Sequence, residues 1–418
     1  MNFLIKQAKI IDTQSKYHLK KMDIYIESDA IKSIAKKITP TKPHKIITLD
    51  NLHVSQGWFD SSVCFGEPGY EDRETLSNGL NVAAKSGFTS VAINPNTNPV
   101  TDSKAGISFI KDKAKEHIVN AYPIGALTQK SEGKELSEMY DMQQAGAIAF
   151  YDYEKGIENA NLLKLALQYS QNFDAIVMDF PLDKNMAVDG LMHEGENSTK
   201  FGLKGTPAMA EIIQVKRDLT ILTYTRGRLH IPNITCKRSV QLIKNAKKKG
   251  LNVTCSVAVH HLVLTDAELF DFDTRYKVNP PLREAKDVKA LLNGLIDGTI
   301  DMITSDHNPI DIENKKLEFA HALNGTIGLE SLFGAVNSVL DLERSIKALT
   351  QKSRSIFRLP QTSISGNSKA ELTLFNPEGE YVFKKDDILS TSKNAIFRNK
   401  KLKGKVYGVI NNGKIILN

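Results

Sequence analysis

The chain has 418 residues, and its 55 Lys and Arg against 48 Asp and Glu give a formal charge of +7. A composition of 41% hydrophobic and 25% charged residues is that of a globular protein, which excludes a disordered or fibrous one. The length allows two or three domains, or one large barrel with an accessory layer. Apolar runs such as residues 300–304 fall far short of the roughly 20 residues that a bilayer crossing needs. Residues 1–20 lack the apolar core of a signal peptide, so we expect a cytoplasmic protein.

Cysteine and lysine usage excludes two further classes of protein. Three cysteines (Cys64, Cys236 and Cys255) in so long a chain cannot form a disulfide framework, and we expect reduced thiols. The one dense basic run, residues 247–249, precedes Gly250 and is typical of a helix C-terminus, where lysines complement the helix dipole. We therefore expect neither a nucleic-acid partner nor a membrane association.

Both ends of the chain predict β-structure. Residues 3–6 and 23–26 alternate apolar and polar side chains with a period of two, and a turn follows at residues 27–29. Residues 371–375 and 406–410 show the same pattern near the other end. We expect the two termini to meet in one small β-sandwich.

The middle of the chain alternates short apolar runs with amphipathic stretches, a pattern typical of βα units. Eight runs predict strands, at residues 54–63, 89–94, 119–125, 147–152, 174–179, 228–234, 252–259 and 301–306. Intervening stretches predict helices, at residues 71–86, 104–117, 158–169, 206–219, 236–249 and 286–297. Eight parallel strands with helices between them predict a (β/α)8 TIM barrel, in the α/β class. The expected domains are residues 1–52 and 359–418 for the sandwich and 53–358 for the barrel.

Function in such a barrel is expected at the C-terminal ends of the strands, because the loops that follow them converge there. Four of the predicted strands end in polar or turn-forming segments, at residues 60–69, 94–99, 150–153 and 304–309.

These segments resemble the type I dihydroorotases of the cyclic amidohydrolase superfamily. The likeness runs almost end to end through motifs at residues 95–99, 191–195, 205–207, 259–262, 279–283, 298–301 and 328–330. It implies a TIM barrel with a terminal β-sandwich and a homodimer. It also implies a reaction of pyrimidine biosynthesis that interconverts carbamoyl aspartate and dihydroorotate, with zinc to activate water.

The metal-ligand positions implied by the resemblance are mostly occupied by residues that bind zinc poorly. The family's four histidines fall on Ser62, Cys64, Phe180 and Asn233. Asp306 remains at the position of a ligand and proton shuttle. Asp152 matches the carboxylate that follows strand four. Because four of these six ligand positions have lost their histidines, we expect that no cofactor is bound and that Asp306 is a vestigial catalytic residue.

The implied substrate positions are also partly lost. Gly66 replaces an arginine that would clamp the substrate carboxylate, and Ile310 replaces a histidine. Asn96 and Asn279 match the family's substrate asparagines. Both lie in proline-rich turns, where an asparagine also serves to cap backbone groups.

Four histidines remain near the strand ends, but we do not expect them to form a new metal site. His260 and His261 are adjacent, and neighbouring residues on a strand point to opposite faces. His307 follows Asp306 and should point away from it into the protein interior. Together with His230, these residues are interpreted as part of the packed interior.

Three hypotheses follow. The first is a catalytically inactive dihydroorotase homologue that serves as a structural partner of aspartate transcarbamoylase, as the resemblance implies. The second is an active cyclic amidohydrolase whose altered centre holds zinc with Cys64, Asp152 and Asp306. The third is a binding protein for carbamoyl aspartate or dihydroorotate that uses Asn96 and Asn279.

Overall fold

The computed structural model describes residues 2–418. Its strands are β1 Phe3–Ile11, β2 Lys21–Glu27, β3 Ala30–Ala35, β4 Lys45–Ile47, β5 His53–Gln56, β6 Trp58–Val63, β7 Phe88–Ile93, β8 Asn120–Pro123, β9 Val177–Met178, β10 Met192–His193, β11 Gly205–Thr206, β12 Leu229–Ile231, β13 Val253–Ala258, β14 Met302–Thr304, β15 Leu372–Val382, β16 Lys401–Asn411 and β17 Lys414–Leu417. Its α-helices are α1 Leu76–Lys85, α2 Lys104–Ala114, α3 Met139–Ala145, α4 Ala160–Tyr169, α5 Glu196–Phe201, α6 Ala208–Thr225, α7 Lys237–Lys248, α8 Ala285–Ile296, α9 Ile312–Lys315, α10 Leu329–Val336, α11 Leu342–Leu349 and α12 Gln351–Ile356. Within these residues, no helix combines the length and apolar character that a bilayer crossing requires.

Eight parallel segments close the barrel. Strands β6, β7 and β8 pair in that order, and β9, β12, β13 and β14 form a second run of neighbours. Phe150 supplies the fourth segment through single bridges to Gly125 and Val177, and a bridge between Val63 and His307 joins the last segment to the first. The predicted TIM barrel is therefore confirmed, with its fourth strand reduced to one bridging residue.

Both termini meet in one curled, eight-stranded sheet, at the place where the sequence predicts a sandwich. Its main path runs β17-β16-β15-β5-β1-β2-β3, and β4 pairs with β1. The buried faces of these strands form a hydrophobic core of their own, separate from the core between the barrel and its helices. The period-two patterns at the two ends of the chain thus build one layer.

The predicted strand at residues 54–63 is in fact two strands separated by Gly57. His53–Gln56 pairs with β1 and β15 in the terminal sheet, whereas Trp58–Val63 enters the barrel. A Cβ atom at Gly57 would lie 2.1 Å from Oγ1 of Thr89, so only glycine permits this close approach between neighbouring strands. The chain changes from one sheet to the other at this residue.

Helices lie where the amphipathic patterns predict them. The six predicted stretches coincide with α1, α2, α4, α6, α7 and α8, although α6 runs six residues beyond its predicted end and α8 begins one residue earlier. Side-chain caps fix several N-termini: Thr75 accepts a hydrogen bond from the Asn78 amide at the start of α1, and Asn159 caps α4 in the same way. Six further helices of four to eight residues escaped prediction because they are too short for a clear 3.6-residue period.

Candidate functional site

The C-terminal ends of four barrel strands bring together three of the predicted ligand positions. Ser62 lies at the end of β6, Asn94 follows β7, Asn233 follows β12, and Asp306 follows β14. The Asn94 amide donates to Oγ of Ser62 at 3.0 Å, and this hydroxyl donates to Oδ1 of Asp306 at 3.3 Å. The Asn233 amide donates to the same Oδ1 at 2.8 Å. A hydrogen-bonded network therefore occupies the place where the resemblance implies a metal centre.

Asp60 holds the first and last barrel strands at this network. Its buried carboxylate accepts hydrogen bonds from the backbone amides of Ser62 and Ser305, each at 3.1 Å, and from the hydroxyl of Thr304. The bonds from Thr304 and Ser305 cross the junction at which the barrel closes. They fix the register between the two segments, so that Ser62 and Asp306 lie opposite each other.

Large side chains fill the interior of the barrel beside the network. Phe180, Tyr151, Tyr153 and Cys64 are 0%, 1%, 9% and 3% exposed and belong to one hydrophobic cluster inside the barrel. Burial raises the pKa of the Cys64 thiol, and a thiol that stays protonated is a poor nucleophile and a poor metal ligand. Phe180 offers no ligand atom, and its ring packs inside the barrel where the family has a histidine.

Asp306 is held in an environment that favours its protonated form. The residue is 4% exposed, and burial raises the pKa of its carboxyl from 3.8 to about 8. This value is a balance: burial is the largest cause and the negative charge of Glu154 also raises the pKa, while the hydrogen bonds from Asn233 and Ser62 lower it. The carboxyl that survives from the family's ligand set is thus a neutral hydrogen-bonding group near pH 7.

Asp152 is directed away from this network. Its carboxylate accepts a hydrogen bond from the backbone amide of Thr128 at 3.0 Å and another from the Thr128 hydroxyl. Across residues 2–418, the groups of three His, Cys, Asp or Glu residues with clustered donor atoms do not include Cys64, Asp152 or Asp306. The altered metal centre of the second hypothesis is therefore not assembled.

The two substrate asparagines differ in their surroundings. The Asn279 amide donates to Oε2 of Glu154 at 3.2 Å. Oδ1 of Asn96 is buried, and no donor in the described part of the chain reaches it. Sequence reasoning missed Glu154, although it lies only two residues after Asp152 at the end of strand four.

The remaining histidines are part of the packed interior. His260 and His261 lie in a 3-10 turn, Val259–Leu262, with ring centroids 4.4 Å apart, so the expectation of opposite strand faces is wrong. His230 contacts hydroxyls of the adjacent strand β13 through both ring nitrogens. His307 accepts hydrogen bonds from the backbone at the start of α10. Burial lowers the pKa of His230 and of His307 to about 3, so both stay neutral.

Comparison with known proteins places this geometry in a family. The sequence model of the family described as Dihydro-orotase-like matches residues 53–239. Two relatives named dihydroorotase, from Geotalea daltonii and Pelotomaculum thermopropionicum, are 37% and 38% identical to the chain. Each alignment covers 100% of this chain and 99% of the relative. The chain belongs to the dihydroorotase family. This assignment confirms the resemblance and makes the chain a member of a family of pyrimidine-biosynthesis enzymes.

Solved structures share the dihydroorotase-like fold at low sequence identity. The L-hydantoinase (dihydropyrimidinase) from Arthrobacter aurescens superposes with a TM-score of 0.86 at 19% identity, covering 100% of this chain and 96% of that one. A D-hydantoinase (dihydropyrimidinase) from a Thermus species gives 0.83 at 20% identity, with 100% and 95% coverage. This chain and the two hydantoinases therefore share a barrel with a terminal sheet.

The prediction that this dihydroorotase homologue has no cofactor is wrong. It belongs to a family whose reaction uses zinc, as the sequence resemblance implies, and its own residues include a group able to hold a metal ion. His193, Glu284 and Asp287 each offer one ligand atom, and these atoms all lie within 4.8 Å of one another. Strand-end reasoning missed the group because His193 comes from β10 and the two carboxylates come from the start of α8.

The donor set of this group, one imidazole and two carboxylates, is one that zinc accepts. Nε2 of His193 lies 3.9 Å from Oε1 of Glu284, and Asp287 accepts a hydrogen bond from the Lys237 amide at 2.9 Å. Arg283 donates to Nδ1 of His193 at 3.0 Å, which places the ring proton on Nε2. A metal ion at Nε2 must displace this proton and the Arg283 contact. At the barrel mouth, by contrast, the residues at the family's ligand positions do not fit zinc.

Proposed function

We propose that this dihydroorotase homologue does not carry out the family reaction at its barrel mouth and serves as a structural partner of aspartate transcarbamoylase. The proposed absence of the family reaction rests on the side chains at the implied ligand positions. Ser62, Cys64, Phe180 and Asn233 supply a hydroxyl, a buried thiol, a phenyl ring and an amide instead of four imidazoles. Hydrolysis at neutral pH needs a water of lowered pKa, and these groups do not provide the metal centre that lowers it.

The state of Asp306 supports the same proposal. A proton shuttle must contact the substrate or a water molecule. The Asp306 side chain is 4% exposed, and its Oδ1 already accepts hydrogen bonds from Ser62 and Asn233. We infer that Asp306 now joins strand ends together, which is a vestigial use of a family ligand.

An apolar rim around the barrel mouth supports the proposal of a protein partner. We define the mouth rim as seven side chains that are 40–72% exposed: Met186, Val188, Phe270, Phe272, Ile312, Leu317 and Leu323. They lie on the loops that follow β9, β13 and β14, so they share the C-terminal face of the barrel. Concentrated exposed apolar surface is typical of an interaction site. The identity of the partner comes from the family resemblance.

Co-expression with aspartate transcarbamoylase from the same organism tests the partner. We expect the two chains to elute together in size-exclusion chromatography, and the double variant F270S/I312S to elute alone. Phe270 and Ile312 are 67% and 72% exposed, so the substitutions should leave the unfolding temperature unchanged. The matched control is Y224S, since Tyr224 is 75% exposed near the end of α6, away from the mouth. Separate elution of the wild-type chains at micromolar concentration would contradict the proposal.

A second candidate, an active dihydroorotase with a displaced metal ion, is favoured by two observations. The relatives named dihydroorotase match the chain over its whole length, and His193, Glu284 and Asp287 could hold a metal ion. Zinc analysis and a dihydroorotate hydrolysis assay on wild type and H193A test this candidate. Bound zinc and turnover that disappear together in H193A would support it, whereas zinc binding without turnover would leave the site structural.

A further inference from the structure

A cavity of about 740 Å³, here called the outer cavity, lies outside the barrel and beside the terminal sheet. Its walls come from the end of α1, from α10, from β15 and β16, and from the segment between these two strands. A volume of this size is typical of a site for a small molecule. Among the described residues, its lining includes neither the network around Asp306 nor the mouth rim, so the outer cavity is separate from the barrel mouth.

A bulge in β15 forms part of the wall of the outer cavity. The pairing with β16 shifts between Asn376 and Glu380, so residues 377–379 lie opposite a single residue, Gly404. The amide of Asn337, at the end of α10, donates to the first carbonyl oxygen of the bulge at 2.8 Å and holds it in place. Gly404 has a φ of +89°, and a Cβ atom there would lie 2.9 Å from the carbonyl oxygen of Asn376, so the bulge requires glycine. Bulges redirect side chains and are frequent next to functional sites.

Carboxylates are concentrated around the outer cavity. Six of them line it, namely Asp50, Glu330, Glu378, Glu380, Asp386 and Asp387. Residues 1–52 and 359–418 together hold 20 Lys and Arg against 10 Asp and Glu, yet five of those ten carboxylates are in this wall. Within residues 2–418 none of the six forms an ion pair, and two lysines, Lys85 and Lys405, share the lining. The excess of negative charge favours a positively charged ligand.

Aromatic side chains supply the apolar part of the same wall. Phe333, Tyr381, Phe383 and Tyr407 all line the outer cavity. Nζ of Lys405 lies 5.8 Å from the centroid of the Tyr407 ring, so one cation of the chain already contacts a ring face here. Aromatic rings attract cations through their faces and also pack against methylene groups. The wall therefore suits a ligand that combines positive charge with an apolar body.

The carboxylates are arranged for an extended organic cation rather than for a metal ion. They come from four separate parts of the chain: the turn before β5, α10, the bulged part of β15 and a 3-10 turn at Lys385–Asp387. Across the described chain, the groups of three His, Cys, Asp or Glu residues with clustered donor atoms contain none of the six. Oε1 of Glu330 accepts three hydrogen bonds from Leu389 and Ser390, whereas its buried Oε2 has no partner within residues 2–418. One carboxylate of the wall thus lacks a donor, which a protonated amine could supply.

We propose that the outer cavity binds an aliphatic polyamine, with protonated nitrogens at the carboxylates and methylene groups against the aromatic rings. A linear chain with several charges matches carboxylates that are spread over four segments, whereas one compact ion does not. The inference goes beyond the proposed function, because it holds whether or not the barrel mouth turns over dihydroorotate. A ligand that binds only the folded chain also raises its unfolding temperature.

Isothermal titration calorimetry with spermidine, at an ionic strength of about 0.01 M where screening is weak, tests the site. We expect saturable one-to-one binding to the wild-type chain, and a dissociation constant at least about tenfold higher in E378Q/E380Q. Both glutamates are exposed and glutamine keeps their shape, so this variant should fold, as its thermal unfolding without spermidine will check. E135Q/E138Q is the matched control, since it removes two exposed carboxylates outside the lining, and it should bind spermidine as the wild type does.

Butylamine and Mg²⁺ separate recognition of a polyamine from attraction of any cation. Each should bind the wild-type chain at least about tenfold more weakly than spermidine. The proposal is overturned if the wild type shows no saturable binding of spermidine, or if folded E378Q/E380Q binds it as tightly as the wild type. An equal loss of affinity in E135Q/E138Q, or an equal affinity for Mg²⁺, would also overturn it, because binding would then depend on net charge alone.

Discussion

The substitution D306N should change how the stability of the protein depends on pH. In the folded chain, burial raises the pKa of Asp306 from 3.8 to about 8. The unfolded chain releases this proton above about pH 4, and the folded chain retains it until about pH 8. The folded state therefore binds more protons in this window, and the free energy of unfolding falls as the pH rises through it. An asparagine at this position cannot ionise, so the fall should disappear.

The size of the effect follows from the two pKa values. Each pKa unit corresponds to about 1.36 kcal/mol, which gives an upper limit of roughly 6 kcal/mol for the full interval. Only about three of these units fall between pH 5 and pH 8.5, which limits the change to about 4 kcal/mol. Water entry and relaxation around a newly formed charge reduce the cost, so we expect about 2 to 4 kcal/mol over this range. The asparagine introduced by D306N can still accept the hydrogen bonds from Ser62 and Asn233 through its side-chain oxygen. The variant should thus gain stability relative to wild type as the pH rises.

Urea denaturation at several pH values between 5 and 8.5 measures this difference directly. Titrating groups remote from Asp306 contribute equally to both proteins and cancel in the comparison. The control D189N removes one carboxylate that is 83% exposed beside Lys204, and its difference from wild type should stay constant. If the difference in free energy of unfolding between D306N and wild type is also independent of pH, the account of Asp306 as a buried neutral acid is refuted.

Further predictions concern buried groups elsewhere in the molecule. R354M should lower the free energy of unfolding by about 3 to 5 kcal/mol, because it leaves buried Glu371 without its ion-pair partner, and R354M/E371Q should recover part of this loss in urea denaturation. T128V should cost about 1 to 3 kcal/mol in the same assay, since buried Asp152 loses a hydroxyl donor. Cys64 should react with iodoacetamide at pH 8 on the order of 100-fold more slowly in the native than in the unfolded chain, as followed by mass spectrometry.

Periodicity in the sequence was sufficient to predict the architecture. The eight apolar runs each overlap one segment of the barrel, and the alternating ends of the chain form the terminal sheet. Pattern alone did not separate His53–Gln56 from Trp58–Val63, since both are fully buried and the break depends on the close approach at Gly57. Strand four was predicted too long because its pairing is confined to Phe150.

Prediction of the site succeeded where residues follow strands directly. Ser62, Asn233 and Asp306 were predicted to share the barrel mouth, and the structure joins them by hydrogen bonds. Glu154 was missed because its direction depends on a left-handed turn that the residue type does not indicate. His193 was missed as a potential ligand because its neighbours in space are some ninety residues away, at Glu284 and Asp287. Contacts of this kind depend on loop conformation, which sequence periodicity does not encode.

Dihydroorotate ring opening by the purified wild-type chain, assayed in the presence of added zinc and beside D306N, tests the central claim most directly. We expect no turnover above the uncatalysed rate from either protein, because the barrel mouth is filled by side chains and lacks the family's imidazoles. Turnover by the wild type that D306N abolishes would show a working site at the barrel mouth and contradict the account.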